Sequence, residues 1–162
     1  MALSRRRILA VLSSVPILGW LQPGGTKALA DDLESSPFAY ISPFKRNKQL
    51  SRCQAEVWYV SYQGHIHVCS ESKCWRVRAL SQGLDRARIW LGDVGEWLES
   101  NAAYKGLPAF DAKAEIVSDD EVLDKLLDRF GDKYPLEWLL WRAAFRDGIA
   151  DGSRTMLRYT LQ

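Results

Sequence analysis

The chain has 162 residues, 47% of them hydrophobic and 26% charged, an ordinary globular balance. Its net charge is +2, yet the first thirty residues carry Arg5, Arg6, Arg7 and Lys27 and no acid, so residues 31–162 sum to −2. No overall positive field therefore marks a nucleic-acid binder, and three cysteines with no CxxC pair argue against a thioredoxin-like redox site.

The chain opens on Ser4-Arg5-Arg6-Arg7-Ile8-Leu9, continues as an apolar run to Leu21 and reaches Ala28-Leu29-Ala30. A charged start, an apolar middle and a small-residue cleavage site are the three parts of an export signal. The arginines after a serine resemble the twin-arginine signal, whose machinery moves folded proteins that often already hold a cofactor. The run from Ile8 to Leu21 is 14 residues and carries Pro16 and Gly19. A spanning helix needs about 20 apolar residues, so an uncleaved anchor is the minor alternative. Cleavage leaves a periplasmic or exported chain starting at Asp31, long enough for one domain with one core. In that compartment a disulfide is allowed among Cys53, Cys69 and Cys74, but the odd count leaves one thiol over.

After a polar, loose segment at 31–37, Phe38 to Arg46 reads as a first strand, with Pro43 marking an edge or bulge. Asn47 to Gln49 is a turn, and Cys53 to Tyr62, rich in Val, Trp and Tyr, is the second strand. Gln63-Gly64 turns the chain into a third strand, His65 to Ser70. Ser72 is placed to cap a helix from Lys73 to Ser81, ended by Gly83. Arg86 to Val94 is the fourth strand, Glu96 to Tyr104 is ambiguous, and Ala109 to Val117 is the fifth strand. Ser118-Asp119-Asp120-Glu121 reads as a capping box opening a helix that stops at Gly131. Pro135 opens another to about Arg146, with Trp138, Trp141 and Phe145 on one stripe. Gly148 and Gly152 form a loop before a last strand, Arg154 to Leu161. The expected fold is α+β, mainly β: a six-stranded barrel with a short helix after strand three and a helical pair before the last strand.

Chemistry concentrates after the third strand. A helix start offers free N–H groups and a positive dipole end, Ser70 and Ser72 add hydroxyls, and Lys73 and Arg76 add charge. Together they form a candidate phosphate cradle; read blandly, Lys73, Arg76 and Arg78 are a solvated helix face. His65, His67 and Cys69 alternate on one strand face and are good ligands for a metal or haem iron. No fourth ligand is identifiable, and the bland reading turns Ile66 and Val68 into the barrel and both histidines to its rim or a dimer partner. No G-x-S-x-G elbow is present, and no acid–base pair stands out, so a hydrolase reading is poor.

From Tyr40 to Leu91 the chain resembles the flavin-binding split-barrel superfamily, which includes pyridoxamine phosphate oxidases, flavin reductases and deazaflavin-dependent reductases. The matching residues are Ala55-Glu56-Val57-Trp58-Tyr59-Val60, the turn at Gly64, Ile66-His67-Val68-Cys69-Ser70, and Ser72 through Leu80. The resemblance implies a split barrel that holds flavin mononucleotide or a related flavin or deazaflavin. It implies Ser70, Ser72, Lys73 and Arg76 at the phosphate, Arg52 also at the phosphate, and Trp58 or Tyr59 at the ring. It further implies a homodimer with cofactor sites at its interface, and an oxidoreductase activity in which the cofactor carries the electrons. The chain departs from the oxidase pattern: the family's Lys near the strand end is replaced by Trp-Tyr, and its contiguous Ser-Arg-Lys by Ser-Lys-Cys-Trp-Arg. Haem is the alternative cofactor, since haem-handling members exist, and an envelope interaction module on the same barrel, using Trp138 and Trp141, is the non-enzymatic reading.

Overall fold

A computed structural model describes residues 31, 33–95 and 102–162. The predicted export signal and most of the ambiguous stretch at 96–104 lie outside the described residues.

The strands are β1 (Phe38–Pro43), β2 (Ala55–Val57), β3 (Val60–Tyr62), β4 (His65–Glu71), β5 (Arg86–Gly92), β6 (Ala109–Ile116) and β7 (Arg154–Leu161). They form one antiparallel sheet in the order β2-β1-β5-β6-β7-β4-β3. The six strands expected from sequence become seven because the stretch Cys53 to Tyr62 is broken at Trp58-Tyr59. Its first piece pairs with β1 and its second with β4, so consecutive chain segments form the two edges of the sheet. One bent strand thereby curls the sheet and leaves no long free edge.

Side-chain alternation sorts the two faces. Ala39 and Ile41, Ile66 and Val68, Ile89 and Leu91, Ala112 and Ala114, and Leu157 and Tyr159 point into one core. The next residue on each strand points out. On one flank Tyr104, on the single turn Ala103–Gly106, stacks on Tyr40 at 5.3 Å and meets Trp90 edge-on at 5.0 Å. On the other flank the helices α2 (Asp120–Lys133) and α3 (Pro135–Ala150) cover Val60 and Met156 with Leu126, Phe130, Trp138 and Phe145. Each such buried side chain contributes roughly 1.5–3 kcal/mol.

Several local expectations change. The N-terminal segment is not loose: Leu33 is buried and its carbonyl accepts the Tyr59 hydroxyl at 3.0 Å. The cap of α2 is Asp119, which accepts the Val122 N–H at 2.9 Å, not Ser118. Gly131 does not stop that helix, which runs on to Lys133. A Cβ at Gly131 would lie 2.8 Å from the Trp138 ring, so the glycine serves the close approach of α3. Gly148 likewise belongs to α3 and makes room for Arg154, whereas Gly152, with φ +77°, does turn the chain.

The break at Trp58-Tyr59 is held by one side chain. The Tyr134 hydroxyl accepts the Tyr59 N–H at 3.1 Å and lies 2.8 Å and 2.9 Å from the carbonyls of Pro37 and Tyr59. Replacing it leaves a buried N–H and carbonyl unpaired, which costs about 1–3 kcal/mol. Tyr134→Phe is therefore expected to lower unfolding stability by that amount in denaturant titration with the slope unchanged; a loss under about 0.5 kcal/mol contradicts the assignment.

Candidate functional site

The predicted cradle falls where β4 turns into the short helix α1 (Trp75–Ser81). The turn is tied by the Cys74 N–H to the Glu71 carbonyl at 3.0 Å, and Cys74 is the N-cap, with no side-chain cap bond. Ser72 does not cap the helix as expected. Its hydroxyl donates to the Gly152 carbonyl at 2.7 Å and meets Thr155 Oγ1 at 2.8 Å, so its one proton is committed to the β7 side. Lys73 and Arg78 are exposed. Ser70 and Arg76 are different: Ser70 Oγ and Arg76 Nη1 are buried and neither has a hydrogen-bond partner among the described residues.

Buried polar groups are nearly always satisfied, and a buried guanidinium N–H left open is costly; His67 Nδ1 and Lys133 Nζ are likewise buried without a hydrogen-bond partner among the described residues. Ser70 follows Ile66 and Val68 on the inward row of β4, and Arg76 is a half-buried residue of α1 whose Nη1 is buried. Its charge acts on fully buried Tyr159, whose hydroxyl is raised well above its ordinary range by burial, with Arg76 opposing the shift. Four of the six residues singled out for cofactor contact are not gathered with them. Ser72 is engaged internally, Lys73 is exposed, Arg52 is exposed ahead of β2, and Trp58 packs on the opposite face.

Trp58 stacks on Tyr134 at 5.0 Å and 13° and meets Trp141 edge-on at 6.2 Å. It lines an open groove of about 360 Å³ with Val57, Cys69, Trp141, Phe145 and Arg154. Arg154 lies over the Trp141 and Phe145 rings at 5.9 Å and 5.1 Å. Tyr59, the alternative ring contact, is wholly buried, with the Lys133 ammonium 3.6 Å from its ring centroid. Burial lowers Lys133 to a pKa of about 8, against the pull of Glu34. Reading Gly131 as a helix stop hid both Lys133 and Tyr134 from sequence reasoning; only the full helical period through Tyr134 could have shown them.

His65 and His67 lie 6.3 Å apart on the outward row of β4. His65 Nδ1 meets Thr160 Oγ1 at 3.2 Å, and His67 is buried with Nδ1 unpartnered among the described residues. Ile66 and Val68 do fill the barrel. Cys69 packs beside the helical pair, its thiol raised to about 11 by burial, which is no nucleophile at neutral pH. Among the described residues no three His, Cys, Asp or Glu side chains gather so as to hold a metal ion. The three cysteines are free thiols.

No protein-family model matches the sequence, and no curated protein matches it significantly. Solved structures do match. The chain is similar to a conserved hypothetical protein, Rv2991, from Mycobacterium tuberculosis, at 18% identity and TM-score 0.59, over 84% of this chain and 79% of that one. It is similar to HutZ, the heme storage protein from Vibrio cholerae, at 13% identity and TM-score 0.54, over 84% and 89%. A candidate pyridoxamine 5'-phosphate oxidase from Listeria innocua matches at 8% identity and TM-score 0.53, over 85% and 92%. The fold is that of the pyridoxamine phosphate oxidase-like split barrels.

Burial pushes His67 down to about 4, and His65 and Arg158 act in the same direction. The unfolded chain takes up that proton near pH 6.5, while the folded chain resists until about 4, so falling pH favours unfolding across that window. Stability is expected to drop by about 2 kcal/mol between pH 6.5 and 4.5, and His67→Gln is expected to flatten that slope. An equal slope in the variant would sink the assignment.

Proposed function

We propose that this chain is an exported split-barrel protein that binds a phosphate-bearing flavin-type cofactor and serves as an oxidoreductase. The observation that carries the reading is the two buried, unpartnered groups, Ser70 Oγ on β4 and Arg76 Nη1 in the first turn of α1. A phosphate group would offer acceptors to both: a hydroxyl and a guanidinium are donors, and a guanidinium grips phosphate through parallel hydrogen bonds. The cofactor supplies reversible electron transfer when bound. Ser70 and Arg76 would hold its phosphate, and the inward row of aliphatic residues would keep that end dry. The twin-arginine-like leader fits a protein exported after folding around its cofactor.

The test is the absorption spectrum of protein purified from the exported fraction, followed by titration with flavin mononucleotide. Flavin absorption, weakened at least about tenfold in affinity by Arg76→Ala with Ser70→Ala while circular dichroism is unchanged, is the expected result. No uptake of flavin mononucleotide or deazaflavin would overturn the flavin reading. A Soret band instead would move the assignment to haem, with His67 Nδ1 the unpartnered ring nitrogen available to it.

One observation favours the second reading, an interaction module or dimer on the same barrel. Helix α3 leaves a cluster of leucines uncovered in its first two turns: Leu136, Leu139 and Leu140 are 76%, 81% and 81% exposed. Neighbouring exposed leucines form an apolar patch of the kind that marks an interaction surface. Trp138, one of the two expected surface residues, is buried against Phe130 and Phe145, while Trp141 is 44% exposed. If that face joins two copies, sedimentation should give a dimer that Leu139→Glu converts to monomer. A wild-type monomer at about 100 μM excludes a dimer with micromolar affinity or better.

A further inference from the structure

A second basic site shares no residue with the cradle and does not depend on the flavin reading. The β1–β2 hairpin and the turn between α1 and β5 line an open cavity of about 400 Å³. Lys45, Arg46, Lys48, Arg86 and Arg88 line it, with Asp85 and Asp111. Both acids are already engaged: Asp111 takes Arg88 at 2.8 Å, and Asp85 faces Lys113 at 3.6 Å. Lys45, Arg46, Lys48 and Arg86 have no ion pair among the described residues. All four are exposed, and Lys45 Nζ also donates to Gln49 Oε1 at 3.4 Å, so in a domain whose net charge is −2 this mouth gathers positive charge that an anion can reach.

The backbone is built to hold them together. The Phe44 N–H donates to the Arg86 carbonyl at 2.8 Å, lacing the hairpin to the turn, and the Lys45 N–H donates to the Gln49 carbonyl at 2.8 Å. Lys48 sits at φ +62° in this turn, a left-handed conformation that asparagine or glycine adopts more cheaply. Phe44 and Leu84 supply apolar wall, with the Arg88 guanidinium 5.6 Å from the Phe44 ring centroid.

We propose that this cavity binds a small organic diphosphate. Four separated cations suit two phosphate groups better than one, and the Phe44–Leu84 wall suits an organic body beyond them. ADP is the probe, compared with inorganic pyrophosphate and inorganic phosphate by titration calorimetry on the purified chain. ADP is expected to bind more tightly than pyrophosphate, pyrophosphate more tightly than phosphate, and ADP affinity is expected to fall at least about tenfold between 50 and 300 mM salt. Lys48→Asn removes a charge while suiting the left-handed backbone. That variant and Arg86→Gln should each weaken ADP at least about threefold, with unchanged thermal unfolding, while Arg76→Ala should not affect ADP. Should Arg86→Gln fail to fold, Lys48→Asn decides. Absence of ADP and pyrophosphate binding below about 1 mM, unchanged affinity in Lys48→Asn, or loss of binding in Arg76→Ala would each overturn the proposal.

Discussion

The fold depends on how one strand is interrupted. At Trp58-Tyr59 the chain leaves its pairing with β1 and takes up pairing with β4, and every other strand lies between those two pieces. An interruption in a sheet strands backbone N–H and carbonyl groups, and those of Tyr59 are buried. The Tyr134 hydroxyl satisfies them and also reaches the Pro37 carbonyl, so one phenol ties the break, the N-terminal segment and the α2–α3 junction together. Burial raises that hydroxyl well above its ordinary range, which keeps it protonated as the donor the junction needs.

The interruption also divides the chemistry between two faces. Inside, aliphatic residues from five strands leave Ser70 Oγ and Arg76 Nη1 as unpartnered polar groups near the first turn of α1. Outside, Trp58, Cys69 and the helical pair build an aromatic and sulfur-lined surface with a shallow groove. A phosphate reading and a ring-stacking reading of the same local sequence thus refer to opposite sides of β4. The first has unsatisfied groups to support it. The second has Trp58 already stacked on Tyr134, leaving less of its ring for a ligand. The basic cavity beside Phe44 is a third environment, held by hairpin geometry with no part in either core.

Element type and order were legible in the residues because alternation of period two and the punctuation by Gly and Pro are local signals. The last strand runs from Arg154 to Leu161 as its alternation suggests, and Pro135 opens α3. The errors share a cause: local chemistry was overridden by a distant partner. Gly131 reads as a stop but serves Trp138; Ser72 reads as a cap but is taken by Gly152 and Thr155; Tyr59 reads as mid-strand but is bent by Tyr134. Within the cradle, sequence could place Ser70, Ser72, Lys73 and Arg76 in one turn. It could not distinguish the two whose polar atoms are buried, because that depends on which way β4 and α1 face the core.

The account rests on a phosphate completing the hydrogen bonding of Ser70 and Arg76, and a crystal structure of the protein grown with flavin mononucleotide tests it most directly. The account predicts phosphate oxygens within about 3.2 Å of both Ser70 Oγ and the Arg76 guanidinium. Flavin mononucleotide bound elsewhere, with those two groups paired to each other or to water, would contradict it.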